Sequence, residues 1–197
     1  VTAQGNAQID TAQSVFGGAS GLFDGTGDYL TIPDHAAFAL GTNNFTIEFR
    51  VRFASVPGGG QYAMIVSQRQ AFNVNNAFAV AYGGTEKWIF SYTTNGTSAT
   101  SLSGFTASSP SINTWYSIAF CRNGSTIDLF IDGVKQTGQS ISTASIYNST
   151  DSLVVGAAST DSIGLFLAGH LDELRFTNGY SWYSSTYTPR TDEFLTE

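Results

Sequence analysis

Charge is what this chain has least of. Only 12% of its 197 residues are Asp, Glu, Lys or Arg, about half of the usual ~25%, and just two, Lys87 and Lys135, are lysines. The formal net charge of −7 leaves no basic stripe to neutralise phosphates. That argues against nucleic acid as a partner and disfavours an anionic membrane surface. Cysteine is equally scarce. The single Cys121 can make no intramolecular disulfide, and its place in the apolar run Ile118-Ala119-Phe120-Cys121 predicts a buried, inert thiol. Stability must then come from packing. No apolar run approaches the roughly 20 residues that span a bilayer, and the N-terminal segment lacks a basic stretch followed by an apolar one. A soluble chain without membrane insertion is expected.

What is abundant is hydroxyl and ring. There are 23 serines, 23 threonines, 11 asparagines and 21 glycines, a mixture that favours strands and turns over helices. A hydrophobic fraction of 42%, with 15 Phe, 9 Tyr and 3 Trp, excludes intrinsic disorder. The length suits one domain with its own core. We read residues 1–15, small and polar, as a lead-in strand or arm, and residues 16–197 as the domain. The clearest strand is Phe45 to Phe53, where Phe45, Ile47, Phe49, Val51 and Phe53 alternate with Thr46, Glu48, Arg50 and Arg52. This pattern predicts one core face and one wet face. Residues 115–120 turn through Asn123-Gly124 into 127–131, which turns again at Asp132-Gly133; both dipeptides supply the positive φ that tight hairpins need. Further strands are predicted at 29–32, 62–68, 77–82, 87–93, 152–157 and 170–177, with single helical turns at 33–38 and 180–187. The result is an all-β sandwich or barrel.

Five stretches in order carry a family resemblance. They are Phe23-Asp24-Gly25-Thr26-Gly27-Asp28-Tyr29-Leu30-Thr31-Ile32-Pro33, the 44–53 strand, Thr114-Trp115-Tyr116-Ser117-Ile118-Ala119, Leu129-Phe130-Ile131-Asp132-Gly133, and Gly169 to Gly179. Together they resemble laminin-G-like modules of the concanavalin A-like lectin/glucanase superfamily, and the Tyr183…Tyr187-Thr188-Pro189 tail resembles members in phage virion proteins. The resemblance covers about Phe16 to Phe194. It implies a two-sheet antiparallel jelly-roll sandwich, a fold that hosts lectins, adhesins, glycosidases, lyases and structural modules alike.

Catalysis finds little support. Glycosidases of this superfamily set paired carboxylates at i and i+2, on one face of a strand. Here Asp172-Glu173 and Asp192-Glu193 are adjacent, and Glu48 is followed by Arg50. Neither His35 nor His170 can be placed beside a serine by spacing. Asp172 shares strand parity with Leu174 and Phe176, so an inward carboxylate in need of a partner is expected. The resemblance suggests one structural Ca²⁺, held by Asp24 or Asp28, turn carbonyls and Asp172. The competing reading is that Asp24 and Asp28 cap the Gly25-Thr26-Gly27 turn while Asp172 accepts backbone N–H bonds. For saccharide, aromatic faces matter. Tyr82, Trp88 and Tyr92 are candidate ligand-binding rings whose alternative place is the core. Trp182 is a fourth, which would otherwise cover the sheet or meet a neighbouring subunit. Arg50 and Arg52 are expected to face outward, either to bind an acidic glycan or as a solvated strand face. The expected function is a non-enzymatic module on the exterior of a tailed-phage virion, as tail, fibre or capsid decoration. Its expected partners are glycans or a host-surface receptor, other virion proteins and, as a homo-oligomer, further copies of itself. The alternatives are a purely structural cementing protein, and a secreted bacterial adhesin or carbohydrate-binding appendage of a hydrolase.

Overall fold

The computed structural model describes residues 1–85, 87–103, 105, 108–161 and 163–194; the last three residues of the expected domain lie outside them. Two antiparallel sheets pack face to face. One runs in the order β1 (Thr2–Gln4), β4 (Tyr29–Ile32), β14 (Leu153–Val155), β6 (Tyr62–Gln68), β7 (Phe78–Gly83), β8 (Lys87–Thr93), β9 (Ala99–Leu102). The other runs β12 (Val134–Lys135), β11 (Thr126–Ile131), β10 (Trp115–Asn123), β5 (Phe45–Phe53), β15 (Ala168–Asn178), β3 (Ser20–Asp24), β2 (Gln8–Asp10), with β13 (Gln139–Ser140) pairing β11. The all-β class read from the alternation, and the two-sheet sandwich that the resemblance implies, are the fold observed. Residues 1–15 contribute an edge strand to each sheet, β1 against β4 and β2 against β3. The turn at 132–133 forms because Asp132 and Gly133 both take positive φ, 48° and 77°.

Between the sheets lies an aromatic core. Phe45, Phe49 and Phe53 of β5 meet Phe90, Trp88 and Tyr82 of the opposite sheet, at ring-centroid distances of 5.6, 5.9 and 5.5 Å. Burying each such side chain stabilises by about 1.5–3 kcal/mol. Cys121 is fully buried, as its apolar run predicts, and burial pushes its thiol pKa up.

Three local expectations need correction. The outer face of β5 is not wet. Thr46 and Glu48 are buried there, because residues 180–194 fold back over it. That segment forms no helical turn and runs irregularly across the sheet, held by side-chain bonds rather than a backbone ladder. Asp172 does not face inward either. Register shifts between Asp172 and Arg175, so Glu173 and Leu174 together oppose Phe49. This β-bulge, with Glu173 at φ 51°, reverses parity. Asp172 therefore sits opposite Arg50 on the outer face, while Phe176 beyond the bulge faces the core opposite Ile47.

Candidate functional site

Strand parity builds a groove on the outer face of the seven-stranded sheet. In β7 and β8 the large residues Phe78, Val80, Tyr82, Trp88, Phe90 and Tyr92 point into the sandwich. Their neighbours Ala79, Ala81, Ile89 and Ser91 are left to face out. The small side chains of Ala79, Ala81 and Ser91 leave room. The groove, about 340 Å³, is lined by Tyr62, Met64 and Arg69, by Ala81, Ile89 and Ser91, by Ser101 and Ser103, and by the loop residues Phe72 and Leu165. Phe72 is 67% exposed and stands at the rim. The Arg69 guanidinium carbon lies 5.5 Å from its ring centroid.

Arg69 is the electrostatic anomaly. It is only 4% exposed, and its Nε has no hydrogen-bond partner. Burial lowers its pKa, and no carboxylate among the described residues forms an ion pair with it. The other buried cation, Arg122, donates from each of its three nitrogens to a backbone carbonyl.

The candidate ligand-binding rings separate. Tyr82, Trp88 and Tyr92, at 0%, 2% and 8% exposure, are core residues; as a saccharide platform they are a correction. Their apolar partners across the sandwich decide the parity, and no solvent-facing position remains for them. Trp182 is 49% exposed on the opposite sheet, edge-on to Tyr180 at 5.0 Å and over the Arg175 guanidinium. It therefore lies far from the groove. Sequence reasoning missed Phe72 and Arg69, although the run of small outward residues in β7 was a legible sign of open space.

The three carboxylates of the expected calcium site are not brought together. Asp24 opposes Ala168 in the register, and Asp172 lies four residues further along β15, about 14 Å at ~3.4 Å per residue. Each carboxylate is engaged by backbone. Asp24 accepts from Thr26 N at 2.6 Å, capping the turn. Asp28, buried, accepts from Asn6 N and Asp24 N at 2.8 and 2.9 Å. Asp172 accepts from Val15 N, Phe16 N and Glu173 N at 2.7, 3.1 and 2.9 Å, pinning the N-terminal arm. Among the described residues no three metal-ligating side chains cluster. Calcium needs six to eight converging oxygens, so these residues do not fit one shared ion. The histidines also serve structure: His35 Nδ1 accepts from Ala37 N, and His170 Nε2 lies 2.9 Å from Asp10 Oδ2.

On the eight-stranded sheet the returning tail makes its own polar cluster. Glu48 accepts from Arg175 Nε at 2.9 Å and from the Tyr183 hydroxyl at 3.0 Å. The Tyr183 ring stacks on Tyr187 at 3.6 Å, and both rings pack on Phe130. Burial first, then the Glu48 charge, pushes the Tyr183 pKa up to about 12, and burial raises Tyr187 as well. A phenol raised above its unfolded value of about 10 contributes stability that is complete below pH ~10. That contribution is lost as pH rises through the folded pKa. Alkaline titration followed by tyrosinate absorbance should show these two phenols ionising late, near pH 12 for Tyr183, together with release of the tail. Release already below pH ~10 would contradict it.

The sequence pattern of Laminin_G_3, described as concanavalin A-like lectin/glucanases superfamily, matches residues 24–180. No similar protein is found among curated sequences. Among solved structures, domain 4 of AbnA, a GH43 extracellular arabinanase from Geobacillus stearothermophilus in complex with arabinotriose, is similar. It has a TM-score of 0.65 and 14% identity over 89% of this chain and 76% of that one. The receptor binding domain of botulinum neurotoxin C/D mosaic serotype gives 0.67 and 12% over 91% and 43%. The binding domain of paraclostridial mosquitocidal protein 1 gives 0.66 and 14% over 92% and 44%. The chain thus spans less than half of the toxin domains it matches. At these identities the likeness is one of fold.

Proposed function

This chain belongs to the Laminin_G_3 family of the concanavalin A-like lectin/glucanase superfamily, and on that footing we propose that it is a non-catalytic module that binds saccharide in the groove beneath Phe72. The carrying observation is the pairing of a two-thirds exposed ring with a buried Arg69, whose Nε has no hydrogen-bond partner, at one open cavity. A volume of about 340 Å³ falls in the range of small-ligand sites. The Phe72 ring offers a flat apolar face for the C–H face of a sugar. Ser91, Ser101 and Ser103 supply hydroxyls able both to donate and to accept. No carboxylate is among the described lining residues, whereas glycoside hydrolysis uses a pair flanking the scissile bond; this favours binding over hydrolysis. The arabinotriose-bound arabinanase domain and the toxin binding domains lend the reading fold-level support.

We place the module on the exterior of a tailed-phage particle, engaging glycans or a receptor on the host surface beside other virion proteins; the Tyr183…Pro189 tail supports that placement. A glycan array followed by equilibrium titration tests the reading. Binding of at least one oligosaccharide is expected, weakened about tenfold, or 1.4 kcal/mol, by Phe72→Ala. No saccharide bound, or binding indifferent to Phe72, overturns it. Stoichiometric presence in purified particles is the matching expectation for location, and absence from them overturns that part.

A further inference from the structure

We infer that the groove selects an acidic saccharide, one that lays a single carboxylate against Arg69 while its ring covers Phe72. The inference rests on the saccharide-binding reading above and names the ligand's charge class.

The Arg69 charge has no counter-charge among the described residues, whereas the other arginines described are bonded or reach water. Arg175 pairs with Glu48, and Arg190 pairs with Asp192. Arg122 donates to three carbonyls, Arg50 donates to the Arg190 carbonyl, and Arg52 is only partly buried and open to water. Arg69 alone combines near-complete burial with an unpartnered donor and a position on an open cavity. Two acids close by among the described residues are already committed. Asp161 accepts from Gln70 Nε2 at 2.7 Å, and Asp151 accepts from the Thr160 hydroxyl at 2.8 Å and Ser152 N at 2.8 Å.

A buried cation without a counter-charge is costly to the folded state. A residue serving only stability would be bonded as Arg122 is. The planar guanidinium matches a carboxylate fork, and in a desolvated groove such a charge-assisted pair is strong. Phe72, 5.5 Å away, is placed for the sugar ring carrying that carboxylate. The net charge of −7 further narrows the class. One cation on an acidic protein admits a singly charged residue of a saccharide, while the surrounding field repels a dense polyanion.

The test uses the whole chain, titrated calorimetrically with a uronate-containing oligosaccharide, the same oligosaccharide with its carboxyl reduced to hydroxymethyl, and a neutral oligosaccharide bearing one sulfate ester. The uronate form should bind at least tenfold tighter than the reduced form. This preference should weaken in salt, fall partway in Arg69→Lys and vanish in Arg69→Gln. Arg69→Gln should melt at or above the wild-type temperature, because it removes an uncompensated buried charge. Equal binding of the uronate and reduced forms, unchanged by Arg69→Gln, overturns the inference and leaves saccharide binding standing. A preference for the sulfate ester overturns the carboxylate assignment. A large fall in melting temperature for Arg69→Gln shows a structural role and overturns it too. Failure of all three probes, together with a blank array, removes the functional reading and this inference with it.

Discussion

Arg122→Met is expected to destabilise the fold by about 3 kcal/mol and to lower its melting temperature by about 10 °C for a chain of this size. Arg122 is 1% exposed and faces into the sandwich beside Phe45. Its three nitrogens donate to the carbonyls of Gly124, Gly41 and Ala144 at 3.0, 2.9 and 2.9 Å. Three loops are thereby tied to one side chain. Methionine keeps most of the volume and none of the donors, so partly buried carbonyls lose their partners, at up to about 1–3 kcal/mol each. Two effects offset that loss. Gly41 O keeps the Ile146 N–H at 2.9 Å, and the cost of holding a buried cation, visible in the lowered Arg122 pKa, is relieved. Urea unfolding with an unchanged slope and a lower midpoint is the measurement. A midpoint indistinguishable from wild type would show that the loops hold themselves, and that Arg122 is merely accommodated.

The sandwich was legible because period-two alternation is a direct consequence of the pleat. Phe45 to Phe53 reads as one core face, and its rings do meet those of β7 and β8. Alternation cannot say what covers the second face. Thr46 and Glu48 have the composition of a wet surface, yet residues more than a hundred positions later fold over them. Parity also fails silently at a bulge. The inward Asp172 expected from Leu174 and Phe176 turns outward because Glu173 takes an extra backbone position at φ 51°. The groove was hidden for a third reason. Its marks are small residues, Ala79 and Ala81, and a ring in the 69–77 loop, none of which carries chemistry by itself. Arg69 becomes informative only once burial and the absence of a partner are known together.

Trp88→Ala should be the most damaging single substitution, costing about 4 kcal/mol and lowering the melting temperature by about 12 °C. The indole is 2% exposed and has Phe49, Phe53, Tyr82 and Phe120 around it, at centroid distances of 5.9, 6.2, 5.3 and 6.2 Å. Alanine leaves a cavity that four rings fixed on two hydrogen-bonded sheets cannot collapse to fill. The same substitution also separates the two readings of the aromatic stripe. If Trp88 is core, as its burial indicates, saccharide affinity of the folded fraction should stay within about twofold of wild type while stability falls. Phe72→Ala should do the reverse, because a side chain 67% exposed contributes little packing and its loss removes the most exposed ring among the described lining residues. Stability measured by thermal melting and affinity measured by titration, taken on both variants, form a crossed comparison. A Trp88→Ala protein that stays as stable as wild type yet loses saccharide binding would move the site to the face where the composition first suggested it.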